Sequence, residues 1–204
     1  LSLRRQRQMC IRDRIMITLK SAREIEAMDR AGDFLASIHI GLRDLLKPGV
    51  DMWEVEEYVR RRCKEENVLP LQIGVEGSIM DYPYATCCSL NDEVAHAFPR
   101  HYILKDGDLL KVDMVLSEPI DKSVLDVSKL DFDNVAQVKK YTESYAGGLA
   151  DSCWAYAIGT PSDEVKNLME VTREAMYLGI EQAVVGNRIG DIGAAIQELS
   201  LIHI

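Results

Sequence analysis

Ser89–Pro99 reads "SLNDEVAHAFP", and Leu104–Val115, just after it, reads "LKDGDLLKVDMV". The first stretch sets one histidine, His96, among small apolar residues and stops at a proline. The second sets one aspartate, Asp113, between Val112 and Met114 in an apolar run. Short alternating or apolar runs bounded by turn residues predict strands. "YATCCSL" (84–90), "EVAHAF" (93–98) and "LLKVDMVL" (109–116) are therefore expected as strands, with Asn91-Asp92 and Asp106-Gly107 as turns. A further strand is expected in "SCWAYAIG" (152–159), after the glycine pair Gly147-Gly148.

Helices flank this block. Ser21-Ala-Arg-Glu24 is a capping box, in which serine and glutamate satisfy each other's end-of-helix amides. The helix it opens is predicted to run to about Leu46, with Ala31, Leu35, Ile38, Leu42 and Leu45 on one face. Lys47-Pro48-Gly49 breaks it. Asp51-x-x-Glu54 opens a second helix carrying Trp53, Val55 and Tyr58. Beyond the strands, Thr160-Pro161 is expected to start a long helix with the proline at its first position. Its inner face would hold Val165, Leu168, Thr172, Ala175, Met176 and Ala183, leaving Glu164, Glu170, Glu174 and Glu181 solvated. Glycine turns at Gly49–Val55 and Gly186–Ile192, 137 residues apart, each join two helices, which hints at an internal repeat.

A carboxylate on an inner strand needs a partner, because burying it alone costs several kcal/mol. For Asp113 that partner is a lysine or a cation. Asp151 is either a loop-end cap or a second carboxylate beside the first. Two aspartates on neighbouring strands suit a hard divalent cation, which prefers oxygen ligands. A lone histidine in such a strand is otherwise a satisfied structural residue.

The segments "TCCSLNDEVAHAFP" (86–99) and "LKDGDLLKVDMV" resemble the signature region of type I methionine aminopeptidases, of the pita-bread metallopeptidase family. The resemblance covers about 16–198 and implies an α+β fold of two pseudo-symmetric halves. The first half would be complete, with an insert, and the second reduced to its helices. It implies removal of the initiator methionine from nascent proteins by two-metal peptide hydrolysis. Asp113 and Asp151 match the two metal-binding aspartates. His96 matches the histidine that contacts substrate beside the scissile peptide, and Tyr82 and Cys87 fall where the family lines the methionine pocket. The two divalent ions would be Mn, Fe, Co or Zn. In-fold and out-of-class alternatives are a proline-specific pita-bread aminopeptidase and a metal-free binding protein.

Two departures accompany the resemblance. The aspartates stand 38 residues apart rather than close in sequence, so a charged, partly helix-like insert is expected at about 117–146, including "NVAQVKKYTES" (134–144). Lengthening a surface loop is thermodynamically cheap. The family also needs one more histidine and two glutamates, and beyond Asp151 the one histidine is His203.

His203 belongs to a stretch read as foreign. "LSLIHI" (199–204) can be written CTG TCT CTT ATA CAC ATC. The opposite strand of that DNA encodes Met-Cys-Ile-Arg-Asp and then Arg or Ser, the text of Met9–Arg14. Such DNA resembles a transposase-type sequencing-library adapter. Residues 1–15 and 199–204 are accordingly set outside the fold, with a natural start expected at Met16 and a cut after about Glu198. Setting them aside takes the formal charge from −9 to −13. That acidity argues against a nucleic-acid or anionic-membrane binder, which needs a basic face. No apolar run approaches the ~20 residues that span a bilayer. Cys63, Cys87, Cys88 and Cys153 lack disulfide-framework or metal-binding spacing, which points to a reducing cytoplasm. The resemblance, not the composition, implies the N-terminal methionine of nascent chains, and the ribosome, as partners.

Overall fold

The computed structural model describes residues 19–203, the side chains of residues 200–203 excepted. The segment assigned to adapter at 1–15 and the expected start at Met16 lie outside the described residues, as does the side chain of His203.

The capping box forms as expected. The Ser21 backbone N–H donates to Glu24 Oε2 (2.7 Å), and the Glu24 N–H donates to Ser21 Oγ (3.3 Å). It opens helix α1 (Ala22–Leu45), whose buried face is Ala27, Ala31, Phe34, Leu35, Ile38, His39 and Leu42. Gly49 then turns at φ +94°, a region open to glycine without strain. Helix α2 (Trp53–Glu65) follows and buries Val55, Glu56, Val59 and Cys63.

Three antiparallel strands stand in the order β1 (Cys87–Leu90), β2 (Leu109–Ser117), β3 (Leu149–Ala157). Leu110, Val112, Met114 and Leu116 are fully buried on one face of β2. Alternation then sends Lys111, Asp113 and Val115 to the other. Each of the expected strands needs one adjustment except β2. The first begins at Cys87 rather than Tyr84, because the Ala85 and Thr86 amides donate to the Glu56 carboxylate instead of to a neighbouring strand. "EVAHAF" is not a strand. Asn91 (φ 51°) and His96 (φ 58°) are both left-handed, and beyond the turn bond from Glu93 N–H to Leu90 O (3.0 Å) one backbone bond, Cys88 N–H to Ala97 O (2.8 Å), ties the segment to β1. The last strand starts at Leu149, three residues before Ser152, so Asp151 lies inside it.

Between β2 and β3 come a 3-10 turn (Val127–Lys129) and helix α3 (Val135–Thr142), capped by the Asn134 side chain. Helix α4 (Asp163–Glu181) starts at the Ser162 cap, whose Oγ accepts the Val165 N–H (3.2 Å). Pro161 therefore precedes the cap rather than occupying the first helical position. The buried residues of α4 are Val171, Ala175 and Gly179; Leu168, Met176 and Ala183 are exposed, contrary to the expected inner face. The reason is helix α5 (Ile189–His203), the element it packs on most among the described residues, whose Ile192 and Ile196 crowd Gly179. Glu164, Glu170, Glu174 and Glu181 are exposed, as expected.

Gly186 turns at φ +103° between α4 and α5 as Gly49 does at +94° between α1 and α2, so both junctions of the suspected repeat turn on a left-handed glycine. Among the described residues, the α1–α2 pair carries a sheet and the α4–α5 pair does not. No helix among them is long and apolar enough to cross a membrane.

Candidate metal centre and pocket

Strand register brings the candidate residues together. Asp113 stands opposite Cys87 on β1 and opposite Cys153 on β3, while Asp151 stands opposite Val115. Residues directly opposite in antiparallel strands share a face, so Cys87, Asp113, Asp151 and Cys153 all project from the side that α1 does not cover. Asp113 and Asp151 are diagonal neighbours, a relation that sets Cα atoms about 7–8 Å apart.

The back of β3 is pinned by His39. Its ring stacks on Trp154 (centroids 4.7 Å apart, 3° between planes), and Nδ1 lies 2.8 Å from Tyr156 Oη. Nε2 lies 3.3 Å from Ser152 O, to which it can only donate. Burial holds the His39 pKa down at about 4, so the ring is neutral near pH 7. At the start of β3, a Cβ on Gly148 would strike the backbone of Ala27 in α1, so glycine is required for this approach. Asp151 is three residues from that contact, on the face set by its pairing with Val115.

The electrostatics are those of an unneutralised pair. Burial, and then the charge of Asp151, raise the Asp113 carboxyl above its ordinary value, and His96 partly opposes this. Among the described residues, no lysine or arginine forms an ion pair with either aspartate. The lysine partner considered for Asp113 is therefore not found there, and a loop-end cap no longer describes Asp151. Hard oxygen donors that repel one another and form no ion pair with a lysine or arginine fit a divalent metal ion. No group of three or more His, Cys, Asp or Glu that would hold a metal occurs among the described residues.

Tyr82 lies beside Cys87. Its hydroxyl donates to Thr86 O (3.0 Å), and burial, with Cys87 next to it, raises its pKa. Cys87 is only 2% exposed, and burial shifts its thiol pKa upward, so it is protonated and apolar in character. Gln72 Nε2 reaches its sulfur (3.4 Å), while Gln72 Oε1 is buried without a partner. The wall continues through aromatic edges: Tyr82 to Phe98 (5.2 Å), Tyr84 to Phe98 (5.4 Å) and Trp53 to Tyr84 (5.8 Å). His96 itself is exposed, at the left-handed position.

Sequence reading missed Gln72, Tyr84, Phe98 and Glu56. Phe98 and Tyr84 sit within segments already singled out, and the density of aromatic residues at 82, 84 and 98 was a usable signal. Glu56 gave none beyond an ordinary i,i+4 spacing to Arg60, because its other partners, Ala85 and Thr86, lie about thirty residues away in sequence.

A model of metallopeptidase family M24 matches residues 26–117 and 140–200. Methionine aminopeptidase 1 of Bacillus subtilis (strain 168) is 32% identical over 182 residues, which cover 89% of this chain and 61% of that protein. The methionine aminopeptidase of Aquifex aeolicus (strain VF5) is 31% identical over 185 residues, again 61% of its length. A solved streptococcal methionine aminopeptidase, described as carrying a novel structural motif and a possible post-translational modification, is 87% identical with a TM-score of 0.84. The match covers 90% of this chain and 64% of that one. The structure of the Thermotoga maritima methionine aminopeptidase is 31% identical with a TM-score of 0.72, over 90% and 62% of the two chains. Escherichia coli aminopeptidase P, 14% identical with a TM-score of 0.65, shares the fold alone. The chain thus spans about three fifths of the length of the curated relatives it matches.

Proposed function

We propose, on the premise that the chain belongs to metallopeptidase family M24, that its fold serves to hydrolyse the peptide bond after an N-terminal methionine. The observation that carries this reading is the Asp113–Asp151 pair, on one sheet face and in no ion pair with a lysine or arginine among the described residues. These two carboxylates would supply oxygen ligands to the divalent ions that a metallopeptidase uses. When bound, such ions provide Lewis-acid polarisation of the scissile carbonyl and an activated water at neutral pH.

The remaining work falls to side chains around the pair. His96 projects from a left-handed turn beside Asp113 and would donate a hydrogen bond to the substrate next to the scissile bond. Holding a non-glycine residue at positive φ costs of order 1–3 kcal/mol, the kind of strain found where a side chain must be aimed. The methionine side chain would enter between Tyr82, Cys87 and Phe98. A thioether gains about 0.3–1.5 kcal/mol against aromatic edges. A protonated Cys87 keeps the floor apolar, since a thiolate there would repel Asp113.

On this reading the substrate is the initiator methionine of nascent polypeptides, in the cytoplasm. The free thiols Cys63, Cys87, Cys88 and Cys153 suit that reducing compartment. A metal-free binding protein would have no use for two carboxylates that repel one another. The proline-specific reading is separated by substrate. The chain is to be joined to the portion of the streptococcal enzyme that it does not cover, then assayed on Met-Ala-Ser and on Ala-Pro-Ala with Mn(II) or Co(II). Release of methionine alone supports the proposal, and cleavage of the Ala-Pro bond alone supports its rival.

A further inference from the structure

Residues 118–139 separate the two stretches that the family model matches, yet they are built into the protein body. Val127, Leu130, Phe132 and Val138 are buried in the common core. Asn67, just past α2 and left-handed at φ 56°, clamps the segment. Its Nδ2 donates to Ile120 O (2.6 Å) and Leu125 O (2.8 Å), and its Oδ1 accepts the Val127 N–H (2.8 Å).

From this anchored segment two charged groups reach the residues that lead into the pocket. Lys139 Nζ bonds Asp81 Oδ2 (2.8 Å), one residue before Tyr82. Asp133 Oδ1 accepts from Arg60 Nη1 (2.6 Å). The same guanidinium donates through Nε to Glu56 Oε1 (2.5 Å) and through Nη2 to Pro83 O (3.3 Å). Glu56 is fully buried and accepts from the Ala85 N–H, the Thr86 N–H and the Thr86 hydroxyl (2.8, 3.0 and 2.6 Å).

Residues 81–86 have little secondary structure of their own; Tyr82 is tied to its own loop by two backbone bonds with Gly74 and Val75. We infer that Arg60 is a positioning residue: it joins the 118–139 segment, through Asp133, to the Pro83–Thr86 backbone and so sets where Tyr82 and Cys87 stand. A planar guanidinium holds three acceptors in a fixed fork, which a lysine ammonium on a flexible stem does not. The consequence for catalysis rests on the pocket assigned above, whereas the joint itself does not.

The test is residue-resolved amide hydrogen exchange on the 204-residue chain and four variants. Asp133 has an 83% exposed side chain, so Asp133→Asn removes the charge without disturbing the core. Exchange at Ala85 and Thr86 is expected to rise about threefold in that variant. In Arg60→Lys it should rise roughly tenfold. Asp133→Glu should restore wild-type exchange, because a longer carboxylate still reaches Arg60. Lys140→Gln, a neutralisation at the exposed residue immediately after the segment, should change nothing at either amide. Unchanged exchange at Ala85 and Thr86 in Asp133→Asn would overturn the inference, as would failure of Asp133→Glu to restore it. An equal rise at Ile38 and Leu42 in α1 would also overturn it, by showing general loosening. Because exchange is read rather than peptide hydrolysis, absent methionine release would remove the proposed function and leave the Arg60 joint standing.

Discussion

Asp113 and Asp151 face the same side of adjacent antiparallel strands, one pairing step apart, with Cys153 opposite the first and Val115 opposite the second. Thirty-eight residues separate them in sequence, and those residues leave β2 at Ser117 and return at Leu149, its direct partner. The register between the strands is continuous from Leu109 to Ser117, so the long connection does not disturb it. The carboxylates are brought close by sheet pairing, and burial together with the charge of Asp151 raises the Asp113 pKa.

Neutralising one carboxylate should therefore stabilise the metal-free chain. Asp113→Asn is expected to add about 1 kcal/mol, a figure discounted for the partial exposure of the pair. Urea unfolding in the presence of a chelator measures this. A fall in stability would mean that Asp113 is already compensated.

Glu56 should behave in the opposite way. It gathers four hydrogen bonds at a fully buried position, one of them from Arg60. Glu56→Gln leaves the guanidinium without its buried counter-charge and should cost about 3 kcal/mol. The check is the urea midpoint of the variant, and a change below about 0.5 kcal/mol would contradict the assignment.

Acid should weaken the fold through His39. Its pKa is lowered to about 4 by burial, against about 6.5 in an unfolded chain, so the unfolded state takes up the proton first. Stability is then fully present above about pH 6.5 and is lost as pH falls toward 4, by up to about 1.4 kcal/mol per pH unit. Comparing wild type with His39→Gln from pH 7 to 4.5 isolates this group, since the carboxylates are common to both. Parallel slopes would show that His39 does not titrate in this window.

The 204-residue chain alone should release no methionine from Met-Ala-Ser with Mn(II) or Co(II). Its described residues offer two of the five ligands that the family resemblance implies, and form no group of three or more metal-binding side chains. Turnover above the metal-only blank would contradict this.

Much of this was legible in the sequence because it depends on neighbours in the chain. The Ser21–Glu24 box, the Gly49 break and the alternation of β2 are all local signals, and each forms as expected. What failed was decided by distant residues. "EVAHAF" alternates like a strand, but a left-handed His96 leaves it without a ladder partner beyond one bond to β1. The inner face of α4 was misread because, among the described residues, α5 and not a sheet is the element it packs on most. Glu56 looked like any helical glutamate until the Ala85–Thr86 backbone was seen to end on it. The charged composition of the 118–139 stretch hid four core residues, Val127, Leu130, Phe132 and Val138.

The most direct test uses the chain joined to the part of the streptococcal methionine aminopeptidase that it does not cover. Methionine release from Met-Ala-Ser is measured with Mn(II) or Co(II), in wild type and in the Asp113→Asn and Asp151→Asn variants. The expected result is metal-dependent release that falls at least a hundredfold in each variant, on the order of 2.7 kcal/mol in the barrier. Release that persists undiminished in both variants, or no release in wild type at any metal concentration, would contradict the assignment of this aspartate pair to the metal centre of a methionine-removing enzyme.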